Sequence, residues 1–301
     1  MVKVSTYVKN EMNFTFFTLG GKQFWEDVFF YQGWRIQRCV ITGRYRLLDA
    51  WDIRRESGKL QKCQKAFIRY AKVYQLLSTK RKAVIFIHGF GRSKDMFKKM
   101  ASQFESEGYV AAAINIPTFF KSFENIALQL DLLLENLKDI KEINFVAYGF
   151  GGLVLRKILS QSWRWKNNMR IGKVVTINVP NRGAIWAEKA SHSPLLLKIF
   201  GPAIRIYDSD FIDQLPDFPS YIELGALTTR HPMGRFVSKF APKLYRTFFP
   251  NPKDSHSATT KDVISIKTLH LNSCSAIKVI THCINFIKNG KFVSSQKIKK
   301  L

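Results

Sequence analysis

The chain has 301 residues, 46% of them hydrophobic, and a formal net charge of +26 from 48 Lys and Arg against 22 Asp and Glu. That length and apolar content allow one large core with a loop insertion. Charged residues interrupt every apolar run, so no window reaches the ~18 to 20 apolar residues that a membrane-spanning helix needs. The cationic surplus admits nucleic acid, an anionic membrane surface or an acidic partner. It is lightest over residues 83–180, and a Lys-, Ile- and Phe-rich composition gives the same surplus with no specific partner. An anionic membrane surface is kept as a candidate partner, and nucleic acid is not favoured.

The short basic runs Lys80-Arg81-Lys82 and Lys297-Ile298-Lys299-Lys300 read equally well as a solvated loop and a frayed tail. Cys39, Cys63, Cys274 and Cys283 form no C-x-x-C pair and have no zinc-type histidine spacing, so neither a metal, a cofactor nor a redox motif is indicated. The N-terminus, with Lys3, Lys9 and Glu11 before Phe14-Thr15-Phe16-Phe17, is a poor signal peptide, and a reducing cytoplasm is the expected location.

Along the chain, Gly33–Arg38 and Arg44–Leu48 flank Thr42-Gly43 and predict two strands joined by a tight turn, inside an N-terminal extension over residues 1–82. From residue 83 strand-like and helix-like segments alternate, the pattern of a mostly parallel α/β sheet with flanking crossover helices. Ala83–Ile87 predicts a buried strand ending in His88-Gly89-Phe90-Gly91. Ser93 suits a helix cap, with Met96, Phe97, Met100, Ala101 and Phe104 on one face until Gly108. Tyr109–Ile116 predicts the next strand, Phe123–Ile140 an amphipathic helix, Ile143–Tyr148 a strand, Gly151–Ser160 a helix and Val174–Val179 a strand closed by Pro180. Residues 183–250 read as an irregular insertion over one end of the sheet. Order resumes at Val263–Leu271 and at a closing helix over Ala276–Lys288, and residues 291–301 read as a basic tail.

Between the strand at 143–148 and the helix at 151–160 stands Ala147-Tyr148-Gly149-Phe150-Gly151. With Ile87-His88-Gly89-Phe90-Gly91, Val179-Pro180-Asn181-Arg182-Gly183 and the segment from Pro252 to Ile287, it resembles the bacterial lipase/esterase branch of the α/β-hydrolase superfamily over roughly residues 83–290. The resemblance implies an α/β-hydrolase domain with a cap at about 183–250. In such proteins the turn reads small-x-Ser-x-Gly and holds the nucleophilic hydroxyl at the top of the sheet. Here Gly149 falls on the serine. The resemblance also places the acid on Asp254, in Pro252-Lys253-Asp254-Ser255, and backbone oxyanion donors on Phe90 and Phe150.

Two registers compete for the base. Counting back from the closing helix gives His270, and counting from a longer last strand gives Cys274. A thiol of free pKa about 8.5 cannot do the base's work.

The implied function is a degenerate lipase-like protein that binds an apolar or acyl small molecule or a partner. The alternatives are an ester hydrolase using water, or a Cys274 nucleophile with His256 or His270 as base, or a basic protein attached to anionic lipid or nucleic acid. His88 reads as structural. The cluster Leu195, Leu196, Leu197, Ile199 and Phe200 reads first as packing and second as a lid over an acyl chain.

Overall fold

The structure is a computed structural model, and it describes residues 21–77, 80–137, 139–161, 164–183, 191–230, 257–268 and 270–293. Its centre is a six-stranded parallel sheet. The strands are β5 (Lys82–Ile87), β6 (Val110–Ile114), β7 (Glu142–Tyr148), β8 (Arg170–Ile177), β9 (Glu223–Arg230) and β10 (Thr260–Lys267), in the order β10-β9-β8-β7-β5-β6. Strands β5 and β7 are buried along almost their whole length, which is why they read as continuous apolar runs.

Helix α3 (Phe123–Glu135) and α4 (Phe150–Ser160) cover one face, with Ile126, Leu130, Leu134, Val154 and Ile158 in its core. On the other face lie α2 (Lys98–Ser106) and α7 (Ile277–Asn289), packed through Met100, Phe104, Val279, Cys283 and Phe286. Ser122 caps α3 by accepting the Asn125 N–H. Helix α3 stops at Glu135 rather than running to 140, because Asn136 and Leu137 turn back onto Leu133 and Leu134 and Asp139 takes a positive φ of 64°. Ser93 caps no α-helix: it precedes a 3-10 turn over Lys94–Phe97 and makes no side-chain cap bond.

The N-terminal segment is more than a hairpin. Strands β1 (Trp25–Tyr31), β2 (Trp34–Cys39), β3 (Tyr45–Leu48) and β4 (Arg54–Gly58) form a separate antiparallel meander. Helix α1 (Leu60–Val73) packs on one of its faces through Cys63 and Ala66 against Trp34, Ile36 and Leu47. The predicted strand pair is present as β2 and β3, with Ile36 opposite Leu47.

The reading of 183–250 as irregular is corrected at its centre. Glu223–Arg230 forms β9, hydrogen-bonded to β8 on one side and β10 on the other. Its residues Leu224-Gly225-Ala226-Leu227 are a short apolar run that the surrounding loop residues obscure. Between β8 and β9 the described residues are 178–183 and 191–222, with α5 (Pro194–Phe200) and α6 (Ser209–Gln214) among them, and residues 231–256 lie outside the described ones. No helix among the described residues is long and apolar enough to cross a membrane.

Candidate functional site

The carboxyl ends of β5 to β9 align at one edge of the sheet: Ile87 pairs with Ile114 and Ala147, Tyr148 with Ile177, and Ile177 with Leu227. The described residues that follow β5, β6, β7 and β8 start from that edge, the usual place for a site in an open parallel sheet. At its middle is Gly149, between β7 and α4, with φ 51° and ψ −120°. Such a backbone is strained for any residue with a side chain, at about 1–3 kcal/mol, and glycine enters it freely. A Cβ placed on Gly149 would lie 3.9 Å from Gly89 Cα and 4.0 Å from the Asn178 carbonyl, ordinary contact distances. The turn thus has room for a side chain.

The glycines after the turn do have a packing reason. A Cβ on Gly151 would sit 2.4 Å from the Ile87 carbonyl oxygen, and one on Gly152 would sit 2.2 Å from Val179 Cγ2. They let α4 cross directly against β5 and the end of β8. Gly149 N–H donates to the Ile177 carbonyl at 2.9 Å, which fixes the turn against β8.

Phe90 and Phe150 are brought to the same place, with ring centroids 5.9 Å apart. Phe150 opens α4, where the first backbone N–H groups have no partner inside the helix. Neither the Phe90 nor the Phe150 N–H has a hydrogen-bond acceptor among the described residues. Two backbone donors therefore remain on either side of Gly149.

His88 stands beneath them and is fully buried. Its Nε2 accepts the Ile116 N–H at 3.0 Å and its Nδ1 donates to the Gly89 carbonyl at 2.9 Å. Both ring nitrogens are thus spent on holding two loops together, and burial pushes the imidazole down to about 4. His88 is structural.

Asp254 lies outside the described residues, and of His270 only the backbone position is described. It opens a 3-10 turn, His270–Ser275, shortly after β10 ends at Lys267. Cys274 is fully buried in the apolar cluster with Tyr148 and Cys283, and burial pushes its thiol well above the ordinary range. A thiol held neutral in that way is neither base nor nucleophile.

Sequence reasoning missed the polar network beside the turn. The Tyr148 hydroxyl is hydrogen-bonded to Ser273 and Asn178, and burial pushes it above the usual phenol range. Asn178, in a left-handed conformation with φ 51°, exchanges side-chain bonds of 2.7 Å with Thr229. An Asn directly after an apolar strand was the available signal, since Asn tolerates that conformation better than most residues.

Over the turn sits an aromatic cluster. Phe90 meets Phe119, Phe200 and Tyr207 at centroid distances of 5.4, 6.5 and 6.1 Å, and Phe150 meets Tyr207 at 6.3 Å. Phe200 and Tyr207 lie between β8 and β9, in a stretch that is seated closely: a Cβ on Gly201 would lie 1.8 Å from the Phe119 carbonyl oxygen. Of the apolar cluster, Leu196, Leu197 and Phe200 pack on the core, whereas Leu195 and Ile199 are exposed.

A lipase of Bacillus licheniformis, BlEst2 in its propeptide form, matches this structure with a TM-score of 0.53, 16% identity, and coverage of 72% of this chain and 52% of that one. The fold is that of the α/β-hydrolases.

This chain spans about half of that lipase's length. The phospholipase PlaB of Legionella pneumophila aligns at 18% identity and TM-score 0.41, over 52% of this chain and 40% of its own. The epoxide hydrolase VrEH1 of Vigna radiata aligns at 12% identity and TM-score 0.47, over 69% and 91%. No protein-family model and no curated protein sequence matches the chain. In this structure Gly149 lies in the turn between β7 and α4.

Proposed function

We propose that this α/β-hydrolase-fold protein is a lipase- or esterase-like chain of the bacterial type that has lost hydrolysis, with Gly149 standing at the nucleophile position, and that it binds an apolar or acyl ligand beside the turn. The observation that carries this reading is the backbone of Gly149 itself, at φ 51° and ψ −120°, with space for a side chain and with backbone donors at Phe90 and Phe150 that have no acceptor among the described residues. Glycine removes both the strain and the hydroxyl. Loss of a triad serine costs on the order of 10⁶ in rate, so the remaining frame leaves no efficient route through water. The buried, neutral Cys274 argues against a substitute nucleophile.

The aromatic cluster of Phe90, Phe119, Phe150, Phe200 and Tyr207 supplies an apolar lining, and the Phe90 and Phe150 N–H groups supply a place for a carbonyl or carboxylate oxygen. Purified protein incubated with short- and long-chain p-nitrophenyl esters is expected to show no turnover above buffer. Turnover that disappears in Cys274→Ala or His270→Ala would overturn the reading.

A further inference from the structure

The N-terminal meander turns its polar face inward. Along β2 the side chains alternate: Trp34 and Ile36 face α1, and Arg35 and Gln37 face the other way. Register carries the pattern across the sheet, since Gln37 pairs with Arg46, Arg35 with Leu48, and Leu48 with Arg54. These residues, with α2 and the edge strand β6, line a cleft of about 960 Å³, within the usual size range of small-molecule sites.

Six cationic side chains and three carboxylates line it. Two of the carboxylates are committed: Asp52 to Lys94 at 2.5 Å, and Asp95 to Lys22. The third, Glu105, has its carboxyl pushed up by burial. Arg35, 6% exposed, is anchored by Asp27 at 2.8 Å and the Ala113 carbonyl at 3.1 Å. Its buried Nε has no hydrogen-bond acceptor among the described residues, and the Asp52 carboxylate stands off at 3.6 Å.

Arg46 lies flat on Trp25, 3.8 Å from the ring centre, and gives Nε and Nη2 to the neutral Gln37 amide oxygen at 2.9 and 2.7 Å. It has no carboxylate within ion-pair distance among the described residues, and desolvation pushes its pKa down to about 10. Lys98, on α2 across the cleft, also has no ion-pair partner among them. A stacked guanidinium held in one orientation is suited to planar recognition of an oxyanion, and an ammonium opposite it supplies the second charge.

We propose that this cleft binds a phosphate-bearing organic anion, with Arg46 and Lys98 taking the phosphate and Arg35 anchoring the cationic floor. Phosphate is favoured over carboxylate because two cations without carboxylate partners match a dianion. The volume and the apolar wall of Phe30, Leu48, Ala101 and Ala113 leave room for an organic group.

The test is calorimetric titration of the full chain at low salt with sn-glycerol 3-phosphate, beside flotation with phosphatidylcholine vesicles containing or lacking phosphatidic acid. Saturable one-to-one binding is expected, weakened at least about tenfold by Lys98→Glu and by Arg46→Gln and changed less than about twofold by Lys65→Glu on exposed α1, as for a specific rather than a diffuse electrostatic contact. Lys98 is exposed, so that variant remains informative if Arg46→Gln fails to fold. Vesicle binding that needs phosphatidic acid and is displaced by glycerol 3-phosphate assigns a lipid headgroup, and soluble binding alone assigns a free phosphorylated molecule. No saturable binding to either, or an equal loss in Lys65→Glu, overturns the proposal.

Discussion

His88 shows how one residue's environment fixes a measurable property. The folded protein keeps its imidazole neutral down to about pH 4, whereas the unfolded chain protonates it near the ordinary histidine value of 6.5. Between those values the unfolded state binds the extra proton. Its contribution is therefore fully present above about pH 6.5 and lost as pH falls towards about 4, on the order of 3 kcal/mol in all. Urea unfolding at about pH 7 and about pH 5 should show about 2 kcal/mol of this loss, and His88→Gln should flatten it. An equal pH dependence in both proteins would mean that His88 titrates freely in the fold. The structural role of His88 was legible in sequence because it stands just before the Gly89-Phe90-Gly91 turn whose backbone, by the resemblance, does the work. Tyr148 and Asn178 were not, since their partners Ser273 and Thr229 lie 125 and 51 positions away along the chain.

At the scale of the element, the crossing of α4 over β5 depends on the two glycines after the turn. Gly151→Ala would drive a methyl group into the Ile87 carbonyl, a backbone atom that cannot move aside, and should cost at least about 1–3 kcal/mol. Gly149→Ser has open space and bears only conformational strain of about 1–3 kcal/mol. Thermal melts should show both variants less stable than the parent, with Gly151→Ala retaining no compensating contact. A Gly151→Ala protein as stable as the parent would contradict the tight crossing. The long apolar strands and amphipathic helices were readable from period alone, since tertiary packing reinforces what the pattern already favours. Strand β9 was not, because four apolar or small residues between polar and aromatic loop segments carry no distinguishing period. Helix α1 was hidden by its Lys- and Gln-rich exposed face.

Across the whole molecule, one buried carboxylate joins the meander to the parallel sheet. Asp27 on β1 accepts from Arg35 and Gln37 of its own sheet and from the Asn115 N–H just beyond β6, and Gln129 of α3 donates to its backbone carbonyl. Asp27→Asn would leave the buried Arg35 with only the half-exposed Asp52 carboxylate at 3.6 Å as counter-ion, at a cost of up to about 3–5 kcal/mol, measurable as a lower denaturation midpoint. A stability change within error would mean that the two sheets do not depend on this contact.

The six-stranded parallel sheet and its flanking helices have the α/β-hydrolase fold, and the proposed loss of hydrolysis rests on Gly149 standing where that fold places its nucleophile. The most direct test is p-nitrophenyl ester hydrolysis by Gly149→Ser beside the parent. The proposed function implies an inert parent and a variant whose turnover is abolished by adding His270→Ala. A folded, inert Gly149→Ser protein, turnover that also requires Cys274→His, or turnover by the parent itself would contradict it.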